Sequence, residues 1–397
     1  MSAKLPTTSL RLVQLGHARC SALLRAASAD ARAAAFDRAF PGALGAACFG
    51  DAARWPVLAD AAPDLPLAPV HMATLAPAAG HPAIRDAACF EIWQCDARDL
   101  KSARRGALHY RHSESAGLVF GSIALHEADF ARVCMASGRS AGDTPLERAT
   151  HAAYRELFSL LDELGTPHPL RIWNTVPAIN AEQFGIERYR QFNIGRQRAF
   201  EACRRALTGG VPAACALGSA TSVAGDGAPA LPLAVYFLAS RAPSDAIDNP
   251  RQVSAYHYPK QYGPRAPTFA RAAVWSGADA VSAAPVLFVS GTASIVRHQT
   301  VHHGDVAAQT RETLANIAAV LEQAARQGHR KFALPELTYK VYVRDSGDTP
   351  ALAAIDRALR EAAGPSVRPL YLHADVCRAD LLLEIEASAG HLVEAMS

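Results

Sequence analysis

A thiol and a carboxylate stand seven residues apart near the end of the chain, in Val376-Cys377-Arg378-Ala379-Asp380-Leu381-Leu382-Leu383-Glu384-Ile385-Glu386. The residues around Glu384 are Leu and Ile, the pattern of a buried or half-buried strand. Two placements of Glu384 fit that pattern. Either it alternates outward on an edge strand, or it is buried, where loss of solvation raises its pKa. A buried glutamic acid would stay protonated near neutral pH and serve as a general acid/base. Cys377 by itself reads as a small core residue. As a reactive thiol it would want a basic neighbour, and Arg378 and His373 are close in sequence.

A second set of side chains precedes this pair. Between residues 245 and 300 the chain carries Arg251, Arg265, Arg271 and Arg297, and Arg368 follows later. A guanidinium fork is the natural partner of a carboxylate. Tyr256, Tyr258 and Tyr262 bring hydroxyl donors and flat apolar walls. Their Tyr/Pro/Gly-rich segment is either an ordered surface loop or a substrate loop carried on a rigid scaffold. His298, His302 and His303 stand near Asp305 without a helical ligand motif, so no metal is expected. Gly225-Asp226-Gly227 is a turn signal rather than a phosphate loop.

These residues need a scaffold, and the chain is long enough for two domains at 397 residues. Half of it is apolar and 19% charged, an ordinary globular composition. A net charge of +3 is too small to argue for nucleic acid. Cysteines at 20, 48, 89, 95, 134, 203, 215 and 377 match neither a zinc pattern nor a disulfide framework. They read as reduced thiols of a cytosolic protein. No apolar run reaches the ~18 residues of a membrane span. The Ala- and Arg-rich first forty residues lack a signal core and a cleavage pattern.

Residues 1–80 carry little pattern. A helix fits within 19–40, and Pro56, Pro63, Pro66 and Pro69 mark an extended or turn-rich path. His71 and His81 stand alone there and read as surface or hydrogen-bonded core residues. Beyond residue 88 the period-2 and period-3.6 patterns give strands at 90–93, 107–110, 118–125, 170–176 and 234–238, with helices at 150–164 and 188–207. Gly195 leaves the start of the second helix open. The same order recurs. A strand at 286–294, a helix opened by Gln309-Thr310, a strand at 337–343, a helix at 349–363 and strands at 368–372 and 381–385 repeat the first set. The offset between the first helices is about 160 residues, a period that means duplicated domains. The class is α+β, each copy a mixed sheet with helices on one face. The first copy has Tyr236 or its neighbours where the second has Glu384, so one copy looks structural and one active.

The second copy resembles the RidA (YjgF) superfamily in Ser290-Gly291-Thr292-Ala293-Ser294, Gln309-Thr310, Asn316-Ile317, Val341-Tyr342-Val343-Arg344-Asp345, Arg368-Pro369 and Glu384-Ile385-Glu386. The longer chain, from about residue 90 onward, resembles the narrower chorismatase family. That resemblance is carried by Arg171-Ile172-Trp173-Asn174, the stretch from Glu187 to Arg196, Leu217-Gly218-Ser219-Ala220-Thr221, and above all the stretch from Asn249 to Arg265 with Phe269-Ala270-Arg271-Ala272. It implies an N-terminal extension at 1–85, a degenerate RidA-like domain at 86–245, a substrate-binding loop region at 246–280 and a catalytic RidA-like domain at 281–397.

The resemblance also implies a reaction. Chorismatases cleave the enolpyruvyl ether of chorismate and release pyruvate. Members with a cysteine before the catalytic glutamate and a glycine in the Ser-Gly-Thr strand form 3-hydroxybenzoate, and one subgroup also forms 4-hydroxybenzoate. Cys377 and Gly291 match that branch. Glu384 and Cys377 are the expected catalytic residues. Tyr256, Tyr258, Tyr262, Arg265, Arg271, Gly291, Arg297 and Arg368 are the expected substrate-binding residues, with Gly291 leaving room for the ring or pyruvyl group. No metal or cofactor, no nucleic acid and no membrane partner is expected. A cytoplasmic monomer is expected, because duplication supplies within one chain an interface that single-domain relatives make between subunits. The alternatives are a hydrolytic chorismatase giving a dihydroxycyclohexadiene carboxylate, a RidA-like imine hydrolase, and a non-enzymatic metabolite-binding protein.

Overall fold

The structure is a computed structural model that describes residues 10–77, 88–131, 144–219, 225, 227–277 and 284–396. His81, Cys134, Ala220, Thr221 and Asp226 lie outside the described residues.

The N-terminal segment folds into a sheet of its own. It runs β1 (Leu10–Gly16), α1 (His17–Leu23), α2 (Ala29–Ala39), β2 (Ala43–Gly50), α3 (Pro56–Ala59), β3 (Leu67–Val70), β4 (Thr74–Leu75) and β5 (Ala88–Cys95). The expected turn-rich path therefore holds a helix and a strand. Pro56 opens α3, where its missing N–H costs nothing. Pro69 sits in β3 at the sheet edge, the position a sheet tolerates for proline.

The second part runs β6 (Lys101–Arg105), β7 (Leu108–Ser113), β8 (Leu118–Leu125), α4 (Pro145–Glu163), β9 (His168–Thr175), β10 (Glu182–Gln183), β11 (Ile186–Glu187), α5 (Arg188–Ala202), β12 (Ala213–Leu217) and β13 (Leu233–Ser240). Helix α4 starts earlier than its apolar period suggests, because Thr144 caps it and Pro145 opens it. Helix α5 continues through Gly195, since a Cβ there would overlap the Glu147 carbonyl of α4. The glycine marks a helix crossing and not a break.

The third part runs β14 (Asp245–Ile247), β15 (Ala272–Trp275), β16 (Val286–Thr292), β17 (Ile295–Val296), β18 (Gln299–Thr300), α6 (Val306–Arg326), β19 (Thr338–Val343), α7 (Thr349–Ala363), β20 (Leu370–His373), β21 (Leu383–Ala389) and β22 (Leu392–Met396). Asp305 and Asp348 cap its two helices.

Three copies of one topology are present, not two. The hydrogen-bonded orders are β1-β5-β2-β3, β8-β13-β9-β12 and β16-β21-β19-β20. In each copy the last strand is antiparallel to the first and second, and the second is parallel to the third. The strand expected at 90–93 is the closing strand of the first copy rather than the opening of the second. Parallel register places Trp173 opposite Cys215 and Tyr342 opposite Leu372. Their antiparallel partners are Tyr236 and Glu384, so the tyrosine does stand where the third copy has its carboxyl.

Each sheet turns one face to its own helices and the other to a shared core. That core joins Leu12, Trp93, Trp173, Tyr236, Phe288 and Tyr342, residues drawn from all three sheets. No described helix is long and apolar enough to cross a membrane.

Candidate active site

Strand β21 lies between β16 and β19, so Glu384 is on an inner strand. Alternation along β21 sends Leu383, Ile385 and Ala387 to the helix side and Glu384 and Glu386 to the other face. Both residues are 4% exposed. Glu386 takes the nearby cations, Arg171 at 2.6 Å and Lys340 at 2.7 Å. Burial would raise the pKa of Glu386, but Lys340 and Arg171 outweigh it and hold the carboxyl down at about 2. Burial, reinforced by the like charge of Glu386, pushes Glu384 up to about 8 against the pull of Arg171 and Arg271. Two carboxyls two residues apart are therefore set to opposite protonation states at neutral pH.

This has a measurable cost. An acid whose pKa is raised by folding opposes folding wherever the unfolded chain ionises first. The penalty grows from the ordinary 4.5 up to about 8. It amounts to a few kcal/mol at the top of that window. Glu384→Gln should therefore be more stable than the parent in chemical denaturation at pH 8, and equal to it at pH 4.

Cys377 Sγ lies 4.0 Å from Glu384 Oε2. Burial, with Glu384 adding to it, pushes the thiol up to about 12, so it is a neutral S–H at working pH. Gly291 lies within the register shift between Val289 and Thr292, where β16 bulges against β21. Bulges re-aim side chains next to active sites. A Cβ at Gly291 would overlap Glu384 Oε1 and come 3.1 Å from Cys215 Cβ. The space expected for substrate at this glycine is taken by the carboxyl itself.

These groups open on a cavity of about 250 Å³ between the second and third sheets. The seam beneath it is stitched by Ser290 Oγ, which accepts from Ala214 N at 2.9 Å and donates to Ala270 O at 2.6 Å. Of the residues expected from the sequence, Glu384, Cys377, Gly291, Tyr258, Tyr262 and Arg271 line this cavity. Arg271 is buried, donating Nη2 to Tyr258 OH at 2.8 Å and to Val253 O at 3.0 Å.

Four expected residues lie elsewhere. Tyr256 OH donates to Asp248 at 2.6 Å, which holds its ring in the loop. Arg265 pairs with Glu201 at 3.0 Å. Arg297 is exposed in the turn between β17 and β18 with a φ of 54°. Arg368 is exposed just before β20. Arg251, weighed among the cations, pairs with Glu312 at 2.7 Å. His302 and His303 face Glu312 and Asp380, each at 3.6 Å.

The cavity instead contains Glu187, Tyr189, Arg190 and Arg196 from β11 and α5, Cys215 from β12, and Arg378. Arg378 stacks its guanidinium 4.1 Å from the Tyr262 ring centre and 5.3 Å from that of Tyr258. In the sequence it reads only as a neighbour of the thiol. The signal for α5 was its mixed face: it buries Gln191, Asn193 and Arg196 beside Phe192 and Ile194. A helix that buries polar groups among apolar ones is lining something polar. Arg196 Nε, Arg271 Nε and Arg378 Nη2 are buried with no protein acceptor among the described residues.

Residues 91–239 match the family described as Chorismatase FkbO/Hyg5-like, N-terminal, and residues 268–390 match that described as Endoribonuclease L-PSP. A 3-hydroxybenzoate synthase of Streptomyces hygroscopicus is 40% identical over 304 residues, covering 75% of this chain and 80% of the relative. A chorismatase of Streptomyces rapamycinicus is 41% identical over 245 residues, 60% of this chain and 68% of the relative. The crystal structure of a chorismatase superposes with a TM-score of 0.70 at 27% identity, covering 97% of this chain and 100% of that one. At 40% identity across four fifths of a 3-hydroxybenzoate synthase, and with the fold of a chorismatase along nearly its whole length, the chain belongs to the chorismatase family.

Proposed function

We propose that this chain cleaves the enolpyruvyl ether of chorismate to pyruvate and 3-hydroxybenzoate, with Glu384 as the acid. The observation that carries the reading is the neutral Glu384 carboxyl on the wall of an arginine-containing cavity. Chorismate carries two carboxylates. Arg196, Arg271 and Arg378 each have an N–H without a protein acceptor among the described residues, which suits anion binding. Tyr258 and Tyr262, stacked with Arg378, provide a flat wall for the ring.

Glu384 donates its proton to the enolpyruvyl methylene carbon. The oxocarbenium that forms is captured by water or by the neighbouring ring hydroxyl, and pyruvate leaves. Benzoate formation needs no net water: one proton enters at the methylene and one leaves the ring system as it becomes aromatic. Cys377, held as a thiol, is positioned to hydrogen-bond or pass a proton beside Glu384 and so steer the ring toward the aromatic product. The chain acts as a cytoplasmic monomer in this reading. Support comes from three sheets sharing one core within a single chain.

Incubation with chorismate, with products read by chromatography and mass, tests the assignment. Pyruvate with 3-hydroxybenzoate is expected, and accompanying 4-hydroxybenzoate would place the chain in the dual-product subgroup. Pyruvate with a non-aromatic diene would contradict the product assignment. Cys377→Ala should still release pyruvate but give a larger share of non-aromatic product. An unchanged product ratio would remove Cys377 from the ring chemistry.

A further inference from the structure

A second set of buried charges lies between the sheets, and the step above does not use it. Glu386 Oε2 meets Arg171 Nη2 at 2.6 Å, and its Oε1 meets Lys340 Nζ at 2.7 Å and accepts from Trp173 Nε1 at 2.9 Å. Lys340 Nζ also meets Glu91 Oε2 at 2.7 Å, and Gln14 Nε2 donates to Glu91 Oε1 at 2.7 Å. All six residues are buried. Gln14 and Glu91 come from β1 and β5, the N-terminal copy, while the others come from β9, β19 and β21. Two acids and two bases sum to zero, and removing one member leaves an uncompensated charge in the interior. Glu386 lies on the same strand and the same face as Glu384, with Lys340 directly across from it on β19.

We propose that the N-terminal unit serves the reaction through this cluster, with Glu91 a positioning residue that fixes Lys340 against Glu386 and so fixes the charge facing Glu384. The inference rests on Glu384 being the acid proposed above. The charged and titratable groups around Glu384 are Glu386 on its own strand, Arg171 on β9, Arg271 ahead of β15, Tyr342 on β19, Cys215 on β12, Tyr189 on α5 and Cys377. Arg171 and Arg271 favour the carboxylate, and Glu386 favours the acid. With Glu91 neutral, the full charge of Lys340 falls on Glu386, and Glu384 loses its proton more readily. With Lys340 neutral, Glu386 is less compensated, and Glu384 keeps its proton to higher pH.

The test is the pH dependence of pyruvate release for the parent, Glu91→Gln, Lys340→Met and the double variant. The parent rate should fall as pH rises through a limb near 8. Glu91→Gln should move that limb down and Lys340→Met should move it up. Each shift should be about one pH unit, a tenfold change in the acid's ionisation constant. The double variant, neutral again, should return close to the parent. A limb that stays fixed in both single variants, or moves the same way in both, overturns the inference, because a merely structural cluster carries no sign. If Glu91→Gln does not fold, Glu91→Asp keeps the charge but draws it back from Lys340. It should move the limb down by less, and an unmoved limb would again overturn the inference. A parent limb that survives unchanged in Glu384→Asp would instead remove Glu384 as the acid, whatever the Glu91 variants do.

Discussion

Glu384→Gln should lower pyruvate release from chorismate by about 10²–10⁴-fold while leaving the protein folded. Glutamine matches the shape of a protonated carboxyl, so the packing against β16 and Tyr342 is kept. It cannot give up a proton to carbon. Cys377 is the nearest group that could substitute, and its pKa is pushed up to about 12, too weak an acid to protonate an enol ether at a useful rate. The variant should also be the more stable of the two at pH 8, as argued above. Loss of activity with gain of stability separates a lost acid from a damaged fold. Single-turnover release of pyruvate, followed with a coupled dehydrogenase, is the measurement. Turnover within tenfold of the parent would contradict the assignment and favour a binding role for the chain.

The second large effect is expected at Gly291. Its Cβ position is occupied by Glu384 Oε1, and behind that lies Cys215. Glu384 cannot retreat, because its strand is paired on both sides, with Tyr342 directly across on β19. An alanine methyl therefore drives the carboxyl out into the cavity and changes its approach to the methylene carbon. Displacements of about 1 Å at a reacting group cost on the order of 10²-fold in rate. Gly291→Ala should lose that much in kcat, with the fold intact and the limb near pH 8 displaced. A variant with parental kcat would mean that the carboxyl seen here is not in its reacting position.

The strand that carries Glu384 was legible because its signal is local. Leu and Ile on both sides of a carboxyl announce burial, and the two later copies kept long amphipathic helices whose period shows through. The N-terminal copy was not legible. Its helices are short, and β2 is Ala-Leu-Gly-Ala-Ala-Cys-Phe-Gly, which has no β-branched residue. Tertiary burial, not local preference, makes it a strand. The surroundings of the cations were not legible for a related reason. Arg251, Arg265, Arg297 and Arg368 looked equivalent to Arg271 in sequence, but only contacts distant in the chain reveal which are spoken for. Arg265 is paired with Glu201 and Arg251 with Glu312, partners more than sixty residues away. Arg196 was hidden inside a stretch recognised as a motif without any of its residues being given a task.

The three copies share a topology but not a chain terminus, and that changes what their common core can hold. On the second strands, two positions ahead of Phe49, Trp173 and Tyr342, the residues that face the shared core are Ala47, Arg171 and Lys340. Three identical subunits meeting face to face would have to repeat one of these choices three times. A cation there would then appear in triplicate, and so would any acid placed to answer it. Covalent linkage lifts that multiplicity. The single chain sets an alanine, an arginine and a lysine at matching positions and keeps one buried carboxyl where its sister copies have Tyr236 and Cys89. Joining the copies in one chain breaks their symmetry, and the asymmetry is what lets a buried electrostatic centre be tuned for a single site.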